Sequence, residues 1–138
     1  MADQKEKVRQ LVEQRGLCSW MNDTKWDELR RAMTEEMPFA PPFVVKFLFE
    51  PAAAGEERFM RQDVSHMGDW SQAYAYGNCG HAAYAIEWIR IRPRYLKPQG
   101  RLVPPVCVSE EPELVAVLKK YAIPYEKAGG VYTIYGYR

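Results

Sequence analysis

The run Glu87-Trp88-Ile89-Arg90-Ile91-Arg92-Pro93-Arg94-Tyr95 constrains the fold more than any other part of this chain. Arginines stand at every second position among aliphatic and aromatic side chains. Strong β-formers with a period of two specify a strand, predicted here from Tyr84 to Ile91. Such a strand sends Ile86, Trp88, Arg90 and Arg92 to one face and Glu87, Ile89 and Ile91 to the other. Pro93 has no amide to give a ladder, so it ends the strand or places it at an edge. The face with the arginines is then expected to pass from core to solvent along its length.

The same run sets up a local field. Between Trp88 and Ser109 there is no acidic residue, while Arg90, Arg92, Arg94, Lys97 and Arg101 give +5. Residues 1–87 carry 10 basic and 14 acidic side chains, and residues 110–138 carry 4 of each. The net charge of +1 therefore hides a positive region that can attract an anionic partner. A pI of about 7.7 is far below the basic footprint of dedicated nucleic-acid binders, roughly 9 and above.

Helices are expected on either side of this strand. Residues 3–15 place Val8, Leu11 and Val12 on one face, and Gly16 can close that helix in the left-handed conformation. A second helix runs from about Asp23 to Met37, capped by Asn22, Asp23 or Thr24, with Trp26, Leu29 and Met33 as its buried stripe. A third, capped by Ser109, runs to about Tyr121, its acids first and Lys119 and Lys120 last, as the helix dipole favours. Phe43 to Phe49 reads as a strand covered on both faces. Residues 57–66 alternate weakly and are expected to pair back as a further strand. Lys97-Pro98-Gln99-Gly100 reads as a turn, and Gly129-Gly130 between two β-like runs reads as a hairpin. The expected order is ααβββαββ: one α+β domain spanning residues 1–138, with a mostly antiparallel sheet packed by about three helices.

Length and composition fit a soluble, intracellular, cytoplasmic chain. At 138 residues it can bury a core without staples. Cys18, Cys79 and Cys107 are odd in number and widely spaced, which suggests neither a disulfide framework nor a zinc ribbon. The first seven residues are too charged for a signal peptide, and no apolar run approaches the ~20 residues of a membrane helix.

Chemistry-bearing motifs are few. Asn78-Cys79-Gly80-His81 holds the one close Cys/His pair, so Cys79 and His81 are the candidates for a thiol enzyme. Against that, cysteine hydrolases bring their base from elsewhere, and no histidine lies downstream. A loop cysteine beside a surface histidine explains the pair better. His66, Asp69, Cys79 and His81 match no common closed zinc spacing, so no metal and no cofactor is expected. No phosphate loop, dinucleotide fingerprint or nucleophile elbow occurs. The adjacent acid pairs Glu35-Glu36, Glu56-Glu57 and Glu110-Glu111 diverge on any regular element and suit solvated faces better than acid–base work.

Three readings of the arginine run remain. A solvent-facing strand could pair its arginines with Glu56, Glu57 or Glu87. An acidic protein partner could dock on Trp88, Arg90, Arg92, Arg94, Tyr95, Lys97 and Arg101. The same residues could bind single-stranded nucleic acid by phosphate contact and stacking. The neutral pI ranks nucleic acid last.

Several blocks together carry a resemblance. Met21-Asn22-Asp23-Thr24-Lys25-Trp26-Asp27-Glu28-Leu29, Gly68-Asp69-Trp70-Ser71, Ile86-Glu87-Trp88-Ile89-Arg90-Ile91, and Ile123-Pro124-Tyr125-Glu126 with Ile134-Tyr135-Gly136-Tyr137-Arg138 resemble a family of small bacterial proteins classed as a domain of unknown function. The likeness covers most of residues 5–138. It implies a bacterial source and one compact domain, and it carries over no catalytic residue. The segment 73–83, which holds Cys79 and His81, lies outside its blocks. The leading expectation is a non-enzymatic bacterial binding protein, immunity-type or regulatory, with an acidic protein partner and no membrane. A thiol enzyme and a weak nucleic-acid or anion binder are the alternatives.

Overall fold

The computed structural model describes residues 4–53, 55–70 and 83–138. Helix α1 spans Gln4–Arg15, α2 Asp23–Glu35, α3 Glu56–Arg61 and α4 Glu111–Lys120. The strands are β1 Phe43–Phe47, β2 Ile86–Ile91, β3 Arg94–Lys97, β4 Val106–Ser109, β5 Glu126–Ala128 and β6 Val131–Tyr135. All pairings are antiparallel. One sheet has the order β1-β2-β6-β5, and β3 pairs with β4 in a separate two-stranded sheet. The α+β class is as expected, and β2 is central rather than an edge.

Local chemistry sets the elements. Asn22 caps α2 by accepting a hydrogen bond from the Lys25 amide at 2.8 Å, freeing that donor from burial without a partner. Trp26, Leu29, Ala32 and Met33 then fall on one buried stripe. Gly16 ends α1 with φ 63°, and Gly129 and Gly130 turn the β5–β6 hairpin with φ 59° and 77°. Leu29, Met33, Leu114, Leu118, Ile89, Ile91, Tyr132 and Ile134 meet in the main core, between the helices and one face of the large sheet. The other face carries a smaller cluster of Val44, Trp88 and Ala53, backed by Phe59 and Tyr135.

Four expectations need correction. Residues 57–66 do not form a strand: α3 occupies Glu56–Arg61 and the chain is then irregular to Val64. Acids in its first turn, arginines in its last and the Glu57–Arg61 pair at 3.2 Å all favour a helix. Second, Ile86 does not share a face with Trp88. An irregularity in the β1–β2 ladder between Lys46 and Phe47 puts Phe47 opposite Ile86 and Lys46 opposite Trp88. Ile86 thus joins Ile89 and Ile91 in the main core. Third, the chain resumes extended structure just past Pro93 and returns as a β3–β4 hairpin that was not foreseen. Fourth, the residue at the start of α4 is Glu110, whose side chain does not cap the helix, although Ser109 Oγ accepts weakly from the Glu111 amide at 3.4 Å.

The blocks that carry the family resemblance are structural. The Lys25 ammonium donates to the Tyr121 carbonyl and, at 3.2 Å, to that of Ala122, tying α2 to the end of α4. Trp70 Nε1 donates to the Pro41 carbonyl at 2.9 Å. A Cβ on Gly68 would lie 2.2 Å from that same oxygen, and one on Gly136 would lie 2.2 Å from the Ile86 carbonyl. Only glycine permits these two approaches.

Candidate functional site

Arg90, in β2, and Arg92, just past its end, point to the face opposite the main core, where the segment from Gly55 to Val64 crosses, and Arg94 reaches the same segment from the start of β3. Arg90 pairs with Glu56 at the start of α3 and lies 4.1 Å from the Trp88 ring centre. Arg92 is only 7% exposed. It donates to the Phe59 carbonyl at 2.6 Å and the Gln62 carbonyl at 3.2 Å, and sits 3.3 Å from Asp63. Arg94 donates to the same Asp63 oxygen at 2.7 Å. Each arginine thus clamps one part of the crossing segment to the sheet. The α3 helix has no buried residue of its own. These bonds, with Phe59, hold it in place.

Of the acids expected to face these arginines, Glu56 alone does so. Glu57 turns to Arg61, and Glu87 accepts from Arg15 at 2.6 Å and Lys46 at 2.8 Å. Burial raises the Glu87 pKa, but those two donors outweigh it and hold the group below its ordinary value. Asp63 was missed. It stands about thirty residues upstream of its partners, between Gln62 and Val64, with no local pattern to mark it.

Both aromatics of the run are engaged as well. Trp88 is buried beneath Arg90, and the Tyr95 ring stacks on Phe39 with centroids 3.8 Å apart and planes 7° from parallel. Neither offers a free pair of faces on which a base could stack.

The remaining members, Lys97 and Arg101, behave differently. They lie at the end of β3 and in the β3–β4 loop, both exposed, and neither has an ion-pair partner among the described residues. Between and beyond them the hairpin raises apolar side chains into solvent. Leu102 is 97% exposed, Val103 53% and Val106 44%. The sequence signal for this tip is Arg101-Leu102-Val103-Pro104-Pro105-Val106, a largely apolar, proline-containing stretch inside the acid-free window. The hairpin base is fixed. The Leu96 amide donates to Val64 at 2.7 Å and the Glu110 amide to Pro93 at 2.7 Å. Glu110 also accepts from the Phe39 amide at 2.8 Å, and burial raises its pKa. Its second oxygen is buried without a partner.

Cys79 and His81 lie outside the described residues. Cys18 and Cys107 are exposed free thiols. Among the described residues no group of three or more His, Cys, Asp or Glu is placed to hold a metal ion. Nor is any helix among them long and apolar enough to cross a membrane.

Neither the curated proteins nor the solved structures contain a significant match to this chain. Residues 8–138 match the model of a family of unknown function, DUF6678, and the chain belongs to that family.

Proposed function

We propose that this chain is a non-enzymatic, cytoplasmic bacterial binding protein that docks an acidic protein partner through the β3–β4 hairpin. The observation that carries the reading is Leu102, 97% exposed at the tip of a hairpin whose base is anchored. Folding gains nothing from a leucine in water, and contiguous exposed apolar side chains with polar neighbours mark interaction sites. Lys97 and Arg101 supply unneutralised positive charge beside it, which steers encounter with an acidic surface. The division of labour follows from geometry. Arg90, Arg92 and Arg94 spend their charge on Glu56 and Asp63 inside the molecule, so the part of the run that faces a partner is its distal end.

The test is affinity capture from the native host with the wild type, Leu102→Asp and Arg101→Glu in parallel. The reading expects one acidic protein, recovered stoichiometrically by the wild type at low and at physiological salt and lost by both variants. Recovery of no stoichiometric partner, or recovery unchanged by both substitutions, overturns it. Hairpin-dependent binding to anionic vesicles in place of a protein overturns the partner class.

A further inference from the structure

We propose that the outer edge of β4 is a self-association surface, on which a second copy of this chain adds its own β4 in two-fold antiparallel pairing. The hydrogen-bond directions carry the argument. In an antiparallel ladder, opposed residues alternate between pairs that exchange bonds and pairs whose amides point away. The Leu96 amide points to Val64, away from β4. Leu96 and its opposite residue Cys107 are therefore a pair of the second kind, as are Arg94 and Ser109. The amides and carbonyls of Cys107 and Ser109 consequently face outward, and no described backbone group meets them.

This edge is short and follows Pro104-Pro105, but it lacks the charge that most directly repels a second strand. Edge strands are blunted by charge, and β5, at the rim of the large sheet, carries Glu126 and Lys127. By contrast β4 reads Val106-Cys107-Val108-Ser109, with no charge at all and three exposed residues. A neutral strand meets no like charge when it pairs with itself. Pairing centred on Val108 sets Cys107 of each copy opposite Ser109 of the other and fills the outward groups of both at once, as a closed two-fold interface requires. It also carries each hairpin tip past the axis toward the start of the other copy's α4. The second copy is thus complementary in hydrogen bonding and brings no like charge against the strand. Which protein the tip docks has no bearing on this pairing.

The experiment is light scattering on the eluting full-length chain over a wide concentration range. The wild type is expected at twice the 16.0 kDa chain mass, falling toward that mass on dilution. Cys107→Pro removes an outward amide and no β3–β4 bond, and is expected at the monomer mass with unchanged circular dichroism. Cys107→Ser keeps the amide and is expected to remain dimeric. Should the proline variant not fold, Val108→Lys, which sets like charges directly opposite each other at the axis, is expected to be monomeric. A wild type that is monomeric throughout overturns the proposal. So does a folded proline variant, or a lysine variant, that dimerises like the wild type. A monomer that still captures its partner refutes the dimer alone, and a dimer that captures nothing refutes the docking reading alone.

Discussion

Asp63→Ala is expected to destabilise the fold by about 2–3 kcal/mol, several times more than Glu56→Ala. The difference comes from burial. Stranding one member of a buried ion pair costs roughly 3–5 kcal/mol. Arg92 is almost fully buried, but it keeps the Phe59 and Gln62 carbonyls as acceptors, and Asp63 retains partial contact with water (side-chain exposure 24%). Those two facts reduce its share to about 2 kcal/mol. Arg94, with a side chain 40% exposed, adds at most about 1 kcal/mol. The Arg90–Glu56 pair, with both side chains nearly 30% exposed, is worth about 0.5–1 kcal/mol including its place in the first turn of α3. Urea unfolding followed by tryptophan fluorescence reads both changes as shifts in midpoint at constant slope. Added salt should weaken the Glu56 contribution more than that of Asp63, because exposed pairs are screened more completely. Equal costs for the two variants, or an Asp63 cost below about 0.5 kcal/mol, would refute the clamp.

Two further outcomes follow from the packing. Gly136→Ala should destabilise by several kcal/mol, since the added methyl meets the Ile86 backbone carbonyl and the Trp26 ring; the same unfolding assay showing a near-neutral change would contradict that contact. Glu110→Gln should remove a pH-dependent penalty. Burial raises the Glu110 pKa in the folded state, with Glu113 adding to the rise and the Phe39 amide opposing it. The native state therefore binds this proton more tightly than the unfolded state. Its contribution to stability declines as pH rises from the unfolded carboxyl range, about 4.3, through the raised folded value, and is constant above it. The difference in unfolding free energy between wild type and Glu110→Gln, measured across that window, should change with pH in this direction. A flat difference would show that Glu110 titrates as an ordinary exposed acid.

The parts of the fold that were legible in the sequence are those whose signals are local. The α2 cap, the Gly16 stop and the Gly129-Gly130 turn each depend on a few consecutive residues; the stop and the turn formed as read, and the cap fell to Asn22, one of three adjacent candidates. In the α3 segment the charge pattern outweighs the weak alternation: Glu56, Glu57, Arg58 and Arg61 stand where a short helix wants them. The face of Ile86 depended on an irregularity in another strand's register, which no pattern within β2 encodes. Asp63 and the fate of the arginines had the same origin, in contacts across roughly thirty residues. The run was recognisable as a strand with charged side chains. Whether those charges faced a partner or the protein itself depended on what crossed the sheet above them.

The central claim, that the recognition surface is the hairpin tip, is tested most directly by site-specific photo-crosslinking in the native host. A photoreactive amino acid at Leu102 is compared with one at the exposed Lys119 of α4. The account predicts that position 102 forms an adduct with one acidic protein, distinct in mass from a self-adduct, and that Lys97→Glu with Arg101→Glu abolishes it. Position 119 should give none. No hetero-adduct at position 102, or the same products from both positions, would contradict the claim.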